Sequence, residues 1–399
     1  MASEVGEPAQ DSGPHSPELE AWRNLCHRLE AVGSELLQPP FPGQSGSPAG
    51  GFDHLARQLL TWLGWSIGYN DASAPQFMRQ NDLVLQWGGP NVDNIYRHAR
   101  IEPGHRYRIT GKMHSCEEFV LALRAGFMHQ PTWGTLVEIT ASSLGFGPGD
   151  DIDIVLGGDT SAGAVGIPDG VVMASIREYY FDWEEREPAT LVIECLDPGP
   201  AVELSSADLV DRFDQAAAGV EHSMRYWNNY LNDYRSSGID NEFCPAIKVA
   251  KGLDAARYSF CFWNLAPGET LVVEATVPDA KYWSVQTYSM HWFRSGDFGR
   301  HVTSLNHRQA HIGPDGRLRI VVAHTDPEVP NWIDTEGETI GMLSFRWFWG
   351  TDDPTVVTTV VPVENIRDHL PADTPSITPP ARAIELAARR AHVAWRYRS

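Results

Sequence analysis

From Ser206 to Ser236 the apolar residues Val210, Phe213, Ala217, Val220, Met224, Trp227, Leu231 and Tyr234 recur in steps of three and four, one stripe down one side of a helix. At 1.5 Å per residue such a helix is on the order of 45 Å long, enough to lie across two domains. A stripe of this length has to be covered. Flanking domains would make it an intramolecular brace and a second copy would make it a coiled coil; the brace is favoured because β-patterned sequence stands on both sides.

Before the helix, "DLVLQW", "HRYRITGKM", "IDIVLGG", "REYYFDW" and "ATLVIECL" are short runs rich in Val, Ile, Tyr and Phe, separated by Gly, Pro and Asp turns. After it, the same patterning returns from "RYSFCFWN" to "TVVTTVVPV". The two regions echo one another. "IEPGHRYRITGKMH" resembles "VPDAKYWSVQTYSMH", and "SIREYYFDWEEREPATLVIE" resembles "SFRWFWGTDDPTVVTTV", which sets Arg177 opposite Arg346 and Pro188 opposite Pro354. The expected fold is mainly β with helices (α+β): two tandem β-sandwich or jelly-roll-like domains joined by a long helix, with helical N- and C-terminal segments. The expected divisions are a disordered tail (1–15), a helical segment (16–80), a first β-sandwich (82–197), the bridging helix (203–238), a second β-sandwich (255–365) and a basic C-terminal helix (376–399).

A chain of 399 residues exceeds the roughly 250–300 residues at which single hydrophobic cores stop growing, which fits two main domains. At the N-terminal end Ser16 can cap a helix that Pro17 opens, and "FDHLARQLLTWLGWSIGY" is apolar nearly all round, as a buried helix would be. At the C-terminal end Thr378 and Pro379-Pro380 start a helix in which Ile384, Ala388, Ala391 and Trp395 form a narrow apolar stripe among five arginines. This segment is expected to dock on acidic protein surface through a partly salt-sensitive contact, and repeated folds often dimerise, which favours a homo-oligomer.

The formal net charge of −21 argues against nucleic acid, whose binders need clustered Lys and Arg. The N-terminus lacks the basic start and apolar core of a signal peptide, and the longest apolar stretch is about half of the roughly 20 residues a membrane span needs. Five scattered cysteines without a Cys-x-x-Cys spacing read as reduced thiols. The expectation is a cytoplasmic protein without membrane contact.

"TSLNHRQAH" raises the question of a metal site at His307 and His311. "AHI", "GPDG" and "RLRIVVAHTD" read as a hairpin, which puts His311 in a strand; strand positions four apart are separated by about 13 Å, too far to share one zinc. No metal and no cofactor are expected. Elbow, phosphate-loop, dinucleotide and His-Glu-x-x-His signatures are missing as well.

"YWSVQTYS", "TSLNH" and "AHTDPEVPNWIDTEGETIGMLSFRWFWG", above all the run from Pro330 and the "FRW" from Phe345, resemble the bacterial family of unknown function numbered 1214 over about the last third of the chain. The first β-region reads as a preceding domain of a related uncharacterised type. The resemblance implies a β-sandwich and brings no established activity.

Function then rests on side chains at strand ends and loops. His307 or His324 with Asp326 could do acid–base work on a polar or sugar-like small molecule, with His291, Asn306, Asn331, Trp332, Asp334 and Arg346 as ligand contacts. The plain reading of each is structural: Asp326 before a proline as turn chemistry, Asn331-Trp332 as a loop pin, and Arg346 with Arg177 as members of structural ion pairs. A metal-independent small-molecule enzyme and a non-catalytic ligand-binding or assembly module both stay open. A cleft joining these residues favours the first and their dispersal favours the second.

Overall fold

The computed structural model describes residues 16–41, 47–80, 83–197, 199, 204–290 and 292–398; the expected tail over 1–15 lies outside them, as does His291. Sixteen strands form four sheets among the described residues. Strands β1 (Met78–Gln80), β2 (Asn94–Arg100), β7 (Met173–Tyr179), β4 (Glu118–Gly126) and β5 (Gly134–Thr140) make a five-stranded sheet in that order, and β6 (Asp151–Leu156), β3 (Tyr107–Lys112) and β8 (Thr190–Cys195) make a three-stranded one. Ile95, Leu121 and Ile176 from the first sheet and Ile109, Ile154 and Ile193 from the second share one core, as the alternation of strand side chains requires.

The second sandwich repeats the plan. Strands β12 (Ser304–Asn306), β11 (Ala280–Ser289), β15 (Ile340–Gly350) and β9 (Ala256–Asn264) form one sheet, and β14 (Trp332–Asp334), β13 (Arg317–Ala323), β10 (Glu269–Thr276) and β16 (Val356–Pro362) form the other. Trp263, Val285, Leu343 and Trp347 meet Leu271, Val273, Ile320 and Val361 between them. The order β2-β7-β4-β5 corresponds to β9-β15-β11-β12, and β6-β3-β8 to β13-β10-β16. The echo that sets Arg177 opposite Arg346 therefore falls on matching central strands. The other echo does not, because it joins β3 to β11, whose topological counterpart is β4.

Each sandwich turns an outer sheet face toward the other. Val120, Ala122 and Tyr179 pack directly on Ala256, Tyr282 and Phe348. Where these faces diverge, helices α1 (Pro17–Glu35), α2 (Pro48–Leu63) and α3 (Ser206–Ser237) fill the gap. Val220, Met224, Trp227 and Leu231 of α3 join Met78 and Met173 of the first sandwich and Phe260, Tyr288 and Met342 of the second in one cluster, so the stripe is covered inside the chain. Ser205 and Asp208 form a capping box at its start. Gly219 lets α2 approach: a Cβ there would stand 2.7 Å from the ring of Trp62. Polar anchoring comes from Arg28 to Glu221 and Asp214, and from Arg225 to Glu35.

Several local expectations differ. "DLVLQW" is not a strand: residues 83–85 form bends, 86–87 belong to no regular element, and Trp87 packs against Trp62 and Phe127. Of "AHI" only Ile312 makes a bridge, to Leu318, so His311 lies outside a strand. Helix α2 is buried on one side only, with Phe52 and Leu60 exposed on the other.

The C-terminal helix α4 (Pro379–Arg396), capped by Thr378, docks on its own chain through its arginine-bearing face and not through its apolar stripe. Arg382, Arg389, His392, Val393 and Arg396 are buried, whereas Ile384 and Trp395 of the apolar stripe are 72% and 46% exposed. The reason lies in what the arginines reach. Arg389 donates to the Ser304 and Phe298 carbonyls and Arg396 to the Val92 carbonyl, and both guanidiniums lie over the indole of Trp183, at 4.6 and 4.9 Å from its centre. Guanidinium stems thus cover apolar surface while their heads satisfy backbone oxygens, which alanines cannot do. Among the described residues no helix is long and apolar enough to cross a membrane, and all five cysteines are free.

Candidate functional site

A cavity of about 140 Å³ lies between the two facing sheets, beside the contact of Tyr179 with Phe348 and under Trp227 and Tyr230 of α3. Its remaining walls are largely aromatic, with Trp87, Phe127, Trp133, Phe260 and Phe293 among them. Three arginines enter it. Arg124 and Arg177 come from the outer face of β4 and β7, and Arg346 comes from β15 on the opposite wall.

The strand register explains why they point there. Arg177 alternates with Ile176 of the first core and so faces outward, directly across from Tyr96 on β2. Arg346 alternates with Phe345 and Trp347 of the second core and is directly across from Tyr258 on β9. Each guanidinium carbon is 5.6 Å from the centre of that tyrosine ring. Arg346 also donates to the Tyr288 hydroxyl, which itself donates to the carbonyls of Gly89 and Pro90 at the cavity's end.

No carboxylate among the described residues forms an ion pair with Arg124, Arg177 or Arg346, and no Asp or Glu lines the cavity. The structural ion pairs expected for Arg177 and Arg346 are therefore not formed. Arg124 and Arg346 are 8% and 5% exposed, and the Nε of each has no partner. Burial pushes the Arg124 pKa down to about 9, with the positive charge of Arg177 adding to the effect, so Arg124 is still cationic at neutral pH. His98 stands on the same wall, its Nδ1 2.8 Å from Ser175 Oγ; burial and the charges of Arg124 and Arg177 hold its pKa well below the ordinary histidine value, leaving a neutral imidazole. The buried Tyr179 hydroxyl has no partner. Buried charges normally carry partners, so the arrangement is suited to an anion that brings the missing acceptors.

The residues singled out from the sequence are placed differently from one another. Arg346 reaches this cavity. Asn306 lies outside it and is fully used: its Nδ2 donates to Asp93 Oδ1 at 2.8 Å and to the Phe181 carbonyl, and its Oδ1 accepts from the Arg308 and Gln309 amides. His307 packs edge-on against Phe181, with a pKa lowered by burial. His324 bonds Thr335 through Nδ1 at 2.7 Å, while the Asp326 carboxylate is held by Arg382, so these two are not joined to each other. Asn331 pins a loop through the His311 and Arg319 carbonyls and the His311 amide. Trp332 donates to the Ala323 carbonyl beneath Arg382, and Asp334 bonds His301 Nδ1 at 2.7 Å. Among the described residues no three of His, Cys, Asp and Glu are grouped to hold a metal ion.

Sequence reasoning passed over Arg124, Tyr96 and His98. The available signal was an arginine in the middle of an apolar strand run, present three times in "LALRAG", "SIREYY" and "SFRWF".

No curated protein matches the chain. Among solved structures, an uncharacterised protein from Burkholderia cenocepacia is similar at 25% identity and a TM-score of 0.80, over 87% of this chain and 98% of that one. A protein from Vibrio parahaemolyticus aligns at 10% identity and a TM-score of 0.43, over 83% of this chain and all of that one. Residues 266–352, from the turn before β10 to just past β15, match the family described as "Protein of unknown function (DUF1214)".

Proposed function

We propose that this protein binds a small organic anion in the cavity between its two sandwiches. The observation that carries the reading is the set of three arginines, Arg124 and Arg346 buried and Arg177 half-buried, that face one aromatic-walled cavity without a carboxylate. An isolated buried charge is costly, and truncating its partner in a protein costs about 3–5 kcal/mol, so three cations on one such cavity are best accounted for by a ligand that completes them. Arginine also suits the task, since its planar fork matches a carboxylate or phosphate with two parallel hydrogen bonds.

The acid–base reading of His307, His324 and Asp326 has less behind it, because His324 and Asp326 are engaged separately and none of the three lines this cavity. The ligand-binding alternative keeps Arg346 and adds Arg124 and Arg177. The test is calorimetric titration of the full chain with small carboxylates and phosphate, alongside the Arg177→Met/Arg346→Met double variant. Saturable binding that the variant loses is expected; equal binding by the variant would place the ligand elsewhere.

A further inference from the structure

Given an anion in this cavity, as proposed, the distribution of the three charges constrains more than its sign. Arg124 and Arg177 stand on one wall, in the first sandwich, and Arg346 stands on the other, in the second. A single carboxylate gripped on one side would leave the opposite wall charged and unpaired. Arg346 is partly served by the Tyr288 hydroxyl, yet its Nε has no acceptor, and Arg124 Nε has none on the far wall. Arginines with unused hydrogen-bonding capacity therefore line the cavity on both sides.

Size sets a second limit. A cavity of about 150 Å³ lined by apolar side chains takes a molecule of benzene's dimensions, so 140 Å³ accommodates roughly six to eight non-hydrogen atoms. A nucleotide or a sugar phosphate exceeds that volume. The wall material sets a third. Between the charged positions the cavity is bounded by Phe260, Phe293, Phe348 and Trp227, which favour hydrocarbon over a bare inorganic ion.

We infer that the ligand is a small dicarboxylate with a spine of about four carbons, one carboxylate held by Arg124 and Arg177 and the other by Arg346, so that it bridges the two sandwiches. His98 lines the same wall with a neutral imidazole, so the positive charge on that side comes from Arg124 and Arg177. Because the two ends bind to different sandwiches, occupancy also fastens one to the other, and it stabilises the whole chain by mass action.

The test uses the full chain and three probes: succinate, butyrate as the monoanion of the same spine, and inorganic phosphate as a compact dianion. Succinate is expected to bind at least about tenfold tighter than butyrate, the gain of a second charge-assisted contact, and tighter than phosphate. Arg346→Met is expected to bring succinate to within about twofold of butyrate, and Arg346→Lys, which keeps the charge and the fold, to fall between. Equal affinity for succinate and butyrate would overturn the two-ended ligand while leaving an anion site in place. Phosphate binding as tightly as succinate would overturn the hydrocarbon spine. If none of the three probes binds, the anion-site reading falls with it.

Discussion

Arg346 lies directly across the strand pair from Tyr258, its guanidinium carbon 5.6 Å from the ring centre, and Arg177 stands in the same relation to Tyr96, at the same distance, in the other sandwich. Two matching central strands thus carry one device, an arginine resting on a cross-strand phenol, and the packing of the sandwiches turns the two devices toward each other. A repeated position on its own suggests upkeep of a fold. A repeated position whose charge is left unpaired and aimed into a shared cavity suggests that the two strands supply two halves of one site.

If those charges serve a ligand, they weigh on the empty protein. Replacing even a buried ion pair by well-packed apolar side chains is often neutral or stabilising by about 1–4 kcal/mol, and a buried charge without a partner has less to lose. Arg124→Met is the cleanest case, since its guanidinium is buried, donates no hydrogen bond from Nε and lies near another cation. The unliganded variant is expected to match or exceed the wild type by about 1 kcal/mol in urea unfolding. A loss of more than about 2 kcal/mol would mean that Arg124 holds the fold together and is not waiting for a partner.

Most of the fold was legible in the sequence because it rests on periodicity. The α3 stripe and the strands around Ile109 and Ile154 follow from spacings of two or of three and four, and the correspondence of Arg177 with Arg346 follows from the internal echo. The site was less legible. Its residues come from β2, β4, β7 and β15 and are brought together by how two sheets face each other, which local spacing does not encode. His324 and Asp326 illustrate the converse: they are neighbours in sequence, yet one turns to Thr335 and the other to Arg382 on α4. The seating of α4 was not legible for a related reason, since the stripe of Ile384 and Trp395 gives no sign of what buried arginines gain from backbone carbonyls and an indole face.

Asn306 is a structural tie between the sandwiches. Its amide donates to Asp93, which also accepts from Trp183 Nε1 and from the Tyr282 hydroxyl, so one buried carboxylate joins both halves of the chain. Asn306→Leu keeps the volume and removes the donor, leaving a buried acceptor short of a partner. A cost of about 2–3 kcal/mol in urea unfolding is expected, the upper part of the range for an unsatisfied buried group. A change under about 0.5 kcal/mol would show that water or a neighbour replaces the bond freely.

His301 and Asp334 form a pH-dependent contact at the edge of the second sandwich. Burial opposes the imidazolium, and the hydrogen bond and charge of Asp334 outweigh it, so the His301 pKa is raised above its usual 6.5. A histidine whose folded pKa is raised contributes stability that is fully present below its unfolded pKa and is lost as pH rises through the folded one. The contact should therefore help the fold below pH 6.5 and fade above it, weakly, because the imidazole is 43% exposed and solvent screens the pair. An NMR titration should find the His301 pKa above that of a free histidine, and Asp334→Asn should bring it down. An unchanged value in the variant would remove Asp334 as the cause.

Removing residues 376–399 tests how α4 is held. Its buried face offers Arg389, His392 and Arg396 to Trp183, with the His392 ring stacked 4.8 Å from the indole; Arg382 and Arg398 form ion pairs with Asp326, Glu385 and Glu187, and Trp395 Nε1 donates to Glu187. Ion pairs at an exposed edge weaken as salt shortens the Debye length, whereas buried hydrogen bonds to the Ser304, Phe298 and Val92 carbonyls are screened much less. The truncated chain should melt several degrees lower than the intact one. It should also show Trp183 emission shifted to the red as the indole meets water. The gap in melting temperature should stay nearly constant between low and high salt, because the contacts that hold the helix are mostly buried. A gap that closes in high salt would assign the docking to the rim ion pairs, and no gap at all would mean that α4 adds nothing to the stability of the body beneath it.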